Sequence, residues 1–372
     1  MSRRIKTVKI LIIKQSALGD IIHTIPALAL IKKNLPNARI DFVVYEKFSG
    51  IIKSSKYLNK IHILKNKSLA EFFKTASRLQ KEKYDLVIDF QGLMKTGFLS
   101  YLTGSPKRIG FNQPREYLAR YFYSHRSNQG NILDNSSHII EKNLKLALEA
   151  LPSESLGNLD FDFDHLKPPT VFLKDKTNKV CIIPSTTWES KFWSLENWIE
   201  VIKYIFEKNK STIYLIGTEA DLIKLSGLIS AMIRHGAFKL FKNGEALNPL
   251  NLSNYHLQIY TDKSLDQLPE FFRDMDLIIG VDTGPLHIAS AACFIKGRIE
   301  KTPEGFIFHK ETLDKKIIGL FGPSSGKRSG PYGFEYLSAD EISGLKAQQN
   351  RKVANKINMM QFIKAQLLID RL

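Results

Sequence analysis

Short apolar runs rich in isoleucine and valine alternate along this chain with segments whose apolar residues return at helical spacing. Residues 8–14 (VKILIIK) read as a strand. SALGD follows, and then IIHTIPALALIKKNLP, which has helical spacing and ends at Pro36. Further strands are expected at 38–46 (ARIDFVVYE), 61–66 (IHILKN), 84–92 (YDLVIDFQG) and 107–111 (KRIGF). Between them, residues 68–83 form an amphipathic helix with Leu69, Phe72, Phe73, Ala76 and Leu79 on one face. This order predicts a doubly wound α/β domain.

Residues 151–170 (LPSESLGNLDFDFDHLKPPT) break the pattern with Pro, Gly and Ser and read as an interdomain linker. The alternation then restarts. Strands are expected at 179–185, 211–218, 257–262 and 276–284, with 315–324 as the last, and helices at 194–209, 221–236, 264–275 and 285–294. Residues 349–370 read as a terminal helix. Residues 236–256 and 294–314 fit the alternation poorly and are expected to be loop insertions.

The length of 372 residues suits two domains, and 43% hydrophobic residues give each a core. A formal net charge of +17 narrows the partners to acidic ones: nucleic acid, an anionic membrane surface or phosphorylated substrates. Two isolated cysteines, Cys181 and Cys293, make no disulfide framework, which points to a reducing compartment. The N-terminal apolar run is interrupted by Lys14 and lacks a cleavage-type ending. No stretch reaches the ~18 apolar residues of a membrane span, so membrane contact would be peripheral.

Four places carry candidate chemistry. Ser16–Asp20 (SALGD) lies at a strand's carboxyl end, the edge where open α/β sheets bind ligands. Gly19 permits close backbone approach, and Asp20 is either a helix cap or a carboxylate able to accept a hydroxyl proton. In VDTGPLH (281–287), Thr283 and Gly284 open a helix whose amides suit a diphosphate, and His287 lies one turn on. In STTWESKFW (185–193), Thr186 and Thr187 offer hydroxyls, and Lys191 offers a cation for a phosphate leaving group, unless the loop merely anchors the next helix. Lys65, Lys67, Lys74, Arg78, Lys81, Lys83, Lys107, Arg108, Arg115 and Arg120 make the first half basic, either as a solvated face or as a site for an anionic acceptor.

Other patterns are set aside. Asp160–Asp162 and Asp274–Asp276 spell D-x-D, but one falls in the linker and the other leads into a buried strand. The nine histidines show no paired metal spacing, and the dinucleotide-binding and P-loop glycine patterns are absent. A non-catalytic nucleic-acid binder would account for the charge, yet no matching signature is present.

Taken in order, KQSALGDIIHTIPAL (14–28), YDLVIDFQGLMKTGFLS (84–100), RIGF with PREYLARYFY (108–123), STTWESKFW, DLIIGVDTGPLHIASA (276–291) and IIGLFGP (317–323) resemble the heptosyltransferases, glycosyltransferase family nine. The resemblance implies the α/β GT-B fold, two Rossmann-like doubly wound domains facing a central cleft. Residues 1–165 would bind the acceptor, 166–345 the nucleotide sugar, and 346–372 would be a C-terminal helix. It implies an inverting transfer with no obligatory metal or cofactor. ADP-heptose would be the donor and the Kdo region of a lipid A precursor the acceptor, in lipopolysaccharide core synthesis. The place would be the anionic cytoplasmic face of the inner membrane, with neither nucleic acid nor an oligomer implied. By resemblance Asp20 is the catalytic base and Lys191 the phosphate-binding cation. Thr186, Thr187, Asp282, Thr283, Gly284 and His287 line the donor site. Asp221 stands where the family often has Glu, and Lys263 where an apolar residue often lines the adenine pocket. Ser16, Gly19, Lys65, Lys74, Arg78, Arg115 and Arg120 are the acceptor candidates. A different donor sugar or a second-heptose acceptor is the nearest rival, and PREYLARYFY and TTWESKFW lean toward the first-heptose type.

Overall fold

A computed structural model describes residues 7–128, 131–152, 158–163, 178–208, 211–218, 220–221, 226–228, 230, 238–242, 245–246, 255–260, 264–302, 305–348 and 350–372. The chain divides into two compact units. The first is Met1–His165 with Phe294–Glu311, and the second is Leu166–Cys293 with Thr312–Leu372.

In the first unit, β1 (Lys9–Ile13), β2 (Arg39–Tyr45), β3 (Lys60–Leu64), β4 (Leu86–Asp89), β5 (Lys107–Gly110) and β6 (His125–Arg126) form one parallel sheet in the order β3-β2-β1-β4-β5-β6. That order places the switch point between β1 and β4, where doubly wound sheets bind ligands. Alternation along β1 sorts its side chains. Leu11 and Ile13 join Val43, Val87, Phe72, Leu79 and Leu99 in one core, under α3 (Leu69–Glu82) and α4 (Met94–Leu102). Fully buring such a side chain is worth about 1.5–3 kcal/mol. Helices α1 (Leu18–Ile22), α2 (Ile25–Asn34) and α5 (Ile139–Ala150) complete the unit, with α2 and α5 packed on each other. The single helix expected after SALGD is thus two. Pro26, at the start of α2, has no N–H to continue a helical ladder, and the chain restarts there.

The expected linker is partly core. Strand β7 (Asn158–Leu159) lies within 151–170, and Leu159, Phe161 and Phe163 are buried. Asp162 and Asp160 there hold Lys56 and Tyr57, so this D-x-D carries local contacts.

The second unit comprises β8 (Asn178–Ile183), β9 (Ser211–Ile216), β10 (Phe238–Lys242), β11 (Glu245–Ala246), β12 (Tyr255–Tyr260) and β13 (Leu277–Val281). Strands β14 (Phe294–Thr302) and β15 (Gly305–Thr312) follow in sequence, and β16 (Lys316–Phe321) and β17 (Glu335–Ser338) close the sheet. Its order is β11-β10-β12-β9-β8-β13-β16-β17, parallel except where β11 meets β10. Helix α6 (Leu195–Lys208) packs Trp198, Val201 and Ile205 on one face, over Val180, Ile182, Ile213 and Ile279. Asp274 and Asp276, the other D-x-D, pair with Lys179 and Lys315. Cys181 and Cys293 are buried free thiols, and burial pushes both up, Cys293 to about 12.

Five expectations are corrected here. Residues 236–256 are no simple loop: they supply β10 and β11 and the first residue pair of β12. Residues 294–314 form strands β14 and β15. Phe294, Gly297 and Ile299 are buried among exposed neighbours, and β14 pairs antiparallel with β7. This segment therefore clusters with the first unit, not with the 166–345 span. Residues 315–324 are not the last strand, because β17 lies beyond. The terminal helix breaks into Arg351–Ala354, a 3₁₀ turn Met359–Phe362 and Ala365–Ile369. The Trp193 indole donates to the Ile363 carbonyl at 2.6 Å and the Asn197 side chain accepts from the Ala365 amide at 3.2 Å, taking groups a continuous ladder would use. The expected 264–275 helix is regular only over Leu268–Arg273, with Pro269 at its start. Most of 221–236 lies outside the described residues.

Candidate active site

In the first unit, three neighbouring parallel strands deliver their carboxyl-terminal loops to one edge. After β1 come Lys14 and then Asp20, in the first turn of α1. After β4 come Phe90, Gln91 and Gly92, and the loop after β5 carries Arg115. Lys14 is only 1% exposed. Its Nζ donates to the Phe90 carbonyl at 3.0 Å and stands 3.8 Å from Asp20 Oδ2. Arg115 Nη2 lies 3.6 Å from the same oxygen, and the Ala17 amide donates to it at 3.4 Å. Asp20 is thus a partly exposed carboxylate set between two cations.

The loop that carries Asp20 is held from β4. Gln91 Oε1 accepts from the amides of Gln15 at 3.0 Å and Ser16 at 3.1 Å. Gln91 is itself placed by Asp89, whose carboxylate accepts from the Gln91 and Gly92 amides and from the Tyr123 hydroxyl. Complete burial pushes the Asp89 carboxyl up, against those hydrogen bonds. Gly92 has φ +69°, and a Cβ there would lie 3.2 Å from Pro114 and from the Arg115 amide. Glycine is needed for the conformation and for the approach of the Arg115 loop.

In the second unit the same logic joins β8, β13 and β16. Lys191 follows β8, Asp282 follows β13 and Ser324 follows β16. Lys191 Nζ is 2.5 Å from Asp282 Oδ2, the Ser324 hydroxyl donates to that oxygen, and His287 Nε2 is 3.3 Å from Oδ1. Burial works against the charge on Asp282. Lys191 and His287 outweigh it and hold the carboxyl well below the usual carboxylate range. Thr283 is the extended N-cap of the Gly284–Ala292 helix, with Pro285 in its first turn. The Thr186 hydroxyl reaches the Asp282 carbonyl at 3.4 Å, while Thr187 is exposed.

The sequence profile of glycosyltransferase family 9 (heptosyltransferase) matches residues 72–293. The chain belongs to that family. Among its relatives, the lipopolysaccharide heptosyltransferase 1 of Campylobacter coli is 29% identical over 292 residues, 76% of this chain and 81% of that protein. The heptosyltransferase 1 of Pseudomonas aeruginosa is 25% identical over 346 residues, covering 87% and 81%. A lipopolysaccharide heptosyltransferase 3 of Escherichia coli also matches, at 21% over 288 residues, 73% of this chain and 77% of that one. The solved E. coli heptosyltransferase WaaC with ADP superposes with a TM-score of 0.68 at 20% identity, covering 98% of both chains. This family-9 chain therefore has the α/β GT-B fold of the heptosyltransferases, each unit a doubly wound parallel sheet.

The residues singled out in this family-9 sequence separate on the structure. Asp20 and Arg115 come together, as do Lys191, Asp282 and His287, with Thr186, Thr283 and Gly284 beside them. Ser16 gives its amide to Gln91, and Gly19 is buried within α1 at ordinary helical backbone. Lys65 follows β3, two strands from β1, roughly 10 Å sideways. Lys74 sits in the second turn of α3, and Arg78 is held within the same helix by Glu71 at 3.1 Å and Thr75 at 2.7 Å. Since α3 runs away from the carboxyl edge, Arg78 stands about 15 Å along it from the N-cap Ser68. Arg120 stacks over the Tyr117 ring at 4.8 Å and donates to its hydroxyl. Asp221 accepts from the Thr218 amide and hydroxyl, at 2.8 and 2.7 Å, so it also shapes its own turn. Lys263 lies outside the described residues.

Lys14, Asp89, Gln91 and Ser324 were not singled out, although a lysine and a D-x-Q pair closing apolar strands are visible signals. One further cluster, Asp41, His62 and Glu82, has metal-ligand types within reach. Arg39 fills that place, at 2.9 Å from Asp41 and 3.2 Å from Glu82, so the cluster is an ion-pair network. Replacing Gln91 with leucine should leave the Gln15 and Ser16 amides unpaired, costing about 1–3 kcal/mol for the buried Gln15 amide and less for the half-buried Ser16 amide. Chemical denaturation should show that loss, and turnover should fall with it while ADP affinity stays.

Proposed function

We propose that this heptosyltransferase moves L-glycero-D-manno-heptose from ADP-heptose to the Kdo region of a lipid A precursor, with inversion, in lipopolysaccharide inner-core synthesis. The observation that carries this reading is a pair of placements in a family-9 chain. A partly exposed carboxylate, Asp20, stands at the carboxyl edge of one parallel sheet, and the Thr283–Gly284 helix start stands at the carboxyl edge of the other. Relatives named lipopolysaccharide heptosyltransferase 1 support the choice of acceptor.

In this mechanism Asp20 takes the proton of the acceptor hydroxyl as its oxygen attacks the anomeric carbon. The bond to the ADP oxygen breaks on the opposite side, so a single displacement inverts the centre. Lys191 and the helix N-terminus take up the charge that develops on the departing diphosphate, a role that calls for no obligatory metal. Asp282 orients this cradle: its carboxylate is engaged by Lys191, Ser324 and His287, which fixes the lysine at the helix start. Arg115 and the other basic residues of the first unit are assigned to the anionic acceptor, with Arg115 in direct reach of Asp20. The reading places the enzyme peripherally at the cytoplasmic face of the inner membrane. Among the described residues no helix is long and apolar enough to cross a membrane.

A transfer assay with purified ADP-heptose and Kdo-lipid A, run beside other nucleotide sugars and a heptosylated acceptor, tests it. Heptosylated Kdo-lipid A is the expected product. Product formed only from another sugar, or only on the heptosylated acceptor, would overturn the assignment.

A further inference from the structure

The first unit exposes large apolar side chains where its own packing does not require them. In the 3₁₀ turn Tyr117–Phe122, Ala119 is fully buried, whereas Tyr117 is 57%, Leu118 56% and Tyr121 62% exposed. The turn is seated tightly on α4: a Cβ at Gly97 would lie 2.8 Å from the Ala119 carbonyl, and the Phe98 and Phe122 rings meet at 5.3 Å. Tyr101 of α4, 54% exposed, extends the same face through its contact with Phe122 at 6.2 Å. The fold thus holds these side chains outward on a rigid base.

Each exposed tyrosine carries an arginine. Arg120 stands over Tyr117 at 4.8 Å, Arg126 over Tyr121 at 5.9 Å and Arg108 over Tyr101 at 5.6 Å. Residues 94–126 contain six Lys or Arg and one acidic residue, Glu116, which accepts from the Met94 amide. An aromatic body with a cationic rim matches the water–hydrocarbon boundary of an anionic bilayer, where rings sit at headgroup depth and guanidiniums meet lipid phosphates. A protein partner of ordinary composition would leave this single-sign charge unmatched.

We propose that the face formed by Tyr101, Tyr117, Leu118 and Tyr121 with Arg108 and Arg126 docks the enzyme on an anionic lipid surface. It rests on the lipid-anchored acceptor proposed above. The chain between Arg115, beside Asp20, and Tyr117 is one residue long, so docking brings the membrane to the segment that holds the candidate base.

The test uses the full chain and sedimentation with vesicles of phosphatidylcholine alone or mixed with phosphatidylglycerol. Wild type should pellet with the mixed vesicles and not with the neutral ones, and salt should weaken the binding. The L118S/Y121S variant changes only exposed side chains and should lose about 10-fold or more in vesicle affinity. L118E provides a second variant with the same expectation. Transfer to the acceptor's sugar portion freed of acyl chains should be unchanged in both, while transfer to acceptor embedded in vesicles falls. Wild-type vesicle binding in both variants, or no binding by wild type, overturns the proposal; the latter leaves the face to a protein. If vesicle binding depends on Leu118 and Tyr121 but no heptose is transferred to any acceptor, the docking face stands and the transferase reading fails.

Discussion

Replacing Asp20 with asparagine should lower heptose transfer by about 10²–10⁴-fold, the range for loss of a general base, while ADP binding is unchanged. Asparagine keeps an oxygen for the Ala17 amide, so the turn into α1 retains its shape. What disappears is the carboxylate that Lys14 and Arg115 flank at 3.8 and 3.6 Å. Neither of those cations can take a proton from an acceptor hydroxyl while it carries its own. The loss should therefore fall on kcat, with little change in the donor KM, as expected of an interaction made in the transition state. Steady-state rates from ADP release, together with calorimetric ADP affinity, separate the two. Turnover close to wild type would remove Asp20 from the mechanism. Weakened ADP binding would mean that the substitution had disturbed more than the base.

Much of this architecture is written locally. The β1 and β4 runs are apolar because both faces of a central parallel strand are covered, and Gly-Asp and Thr-Gly at strand ends mark where helices begin. The runs that form β14 and β15, FIKGRIEKT and GFIFHKET, do carry β-branched and aromatic residues. Set between a helix and a strand of an α/β repeat, they read as an insertion, because their partner β7 lies in a stretch that Pro, Gly and Ser interrupt. The site divides in the same way. Asp20 and Asp282 follow from their positions at strand ends, but their partners do not. Gln91 is 75 residues from the Ser16 amide it accepts, and Lys191 is 91 residues from Asp282. Only the parallel order of the strands brings such loops together, and no periodicity in the chain encodes it. The terminal segment errs in the opposite direction. Its helical spacing is real, but Trp193 and Asn197 take the backbone groups that a continuous helix needs.

Replacing Lys191 with methionine should damage both stability and transfer, and acid should narrow the stability gap. Removing one partner of a buried ion pair costs about 3–5 kcal/mol, and because Ser324 and His287 remain on Asp282 the lower end applies. Loss of the cation at the leaving group should cost about 10²–10³-fold in kcat, by analogy with other preorganised charge-stabilising groups. The pH dependence follows from Asp282. Folding holds its carboxyl below the unfolded value of about 3.9, so the ionised group adds stability that is complete above that pH and is lost as pH falls toward the folded value. Without Lys191, burial is less opposed and the folded value moves up. The carboxylate then contributes less at neutral pH, or opposes folding, and protonation in acid relieves it. The difference in melting temperature between wild type and variant should therefore be widest near pH 7 and shrink as pH falls through the variant's raised folded value. A gap that stays constant at every acid pH where both proteins remain folded would show that Lys191 acts through its contact with the Trp188 ring, 4.6 Å away, and not through the charge on Asp282.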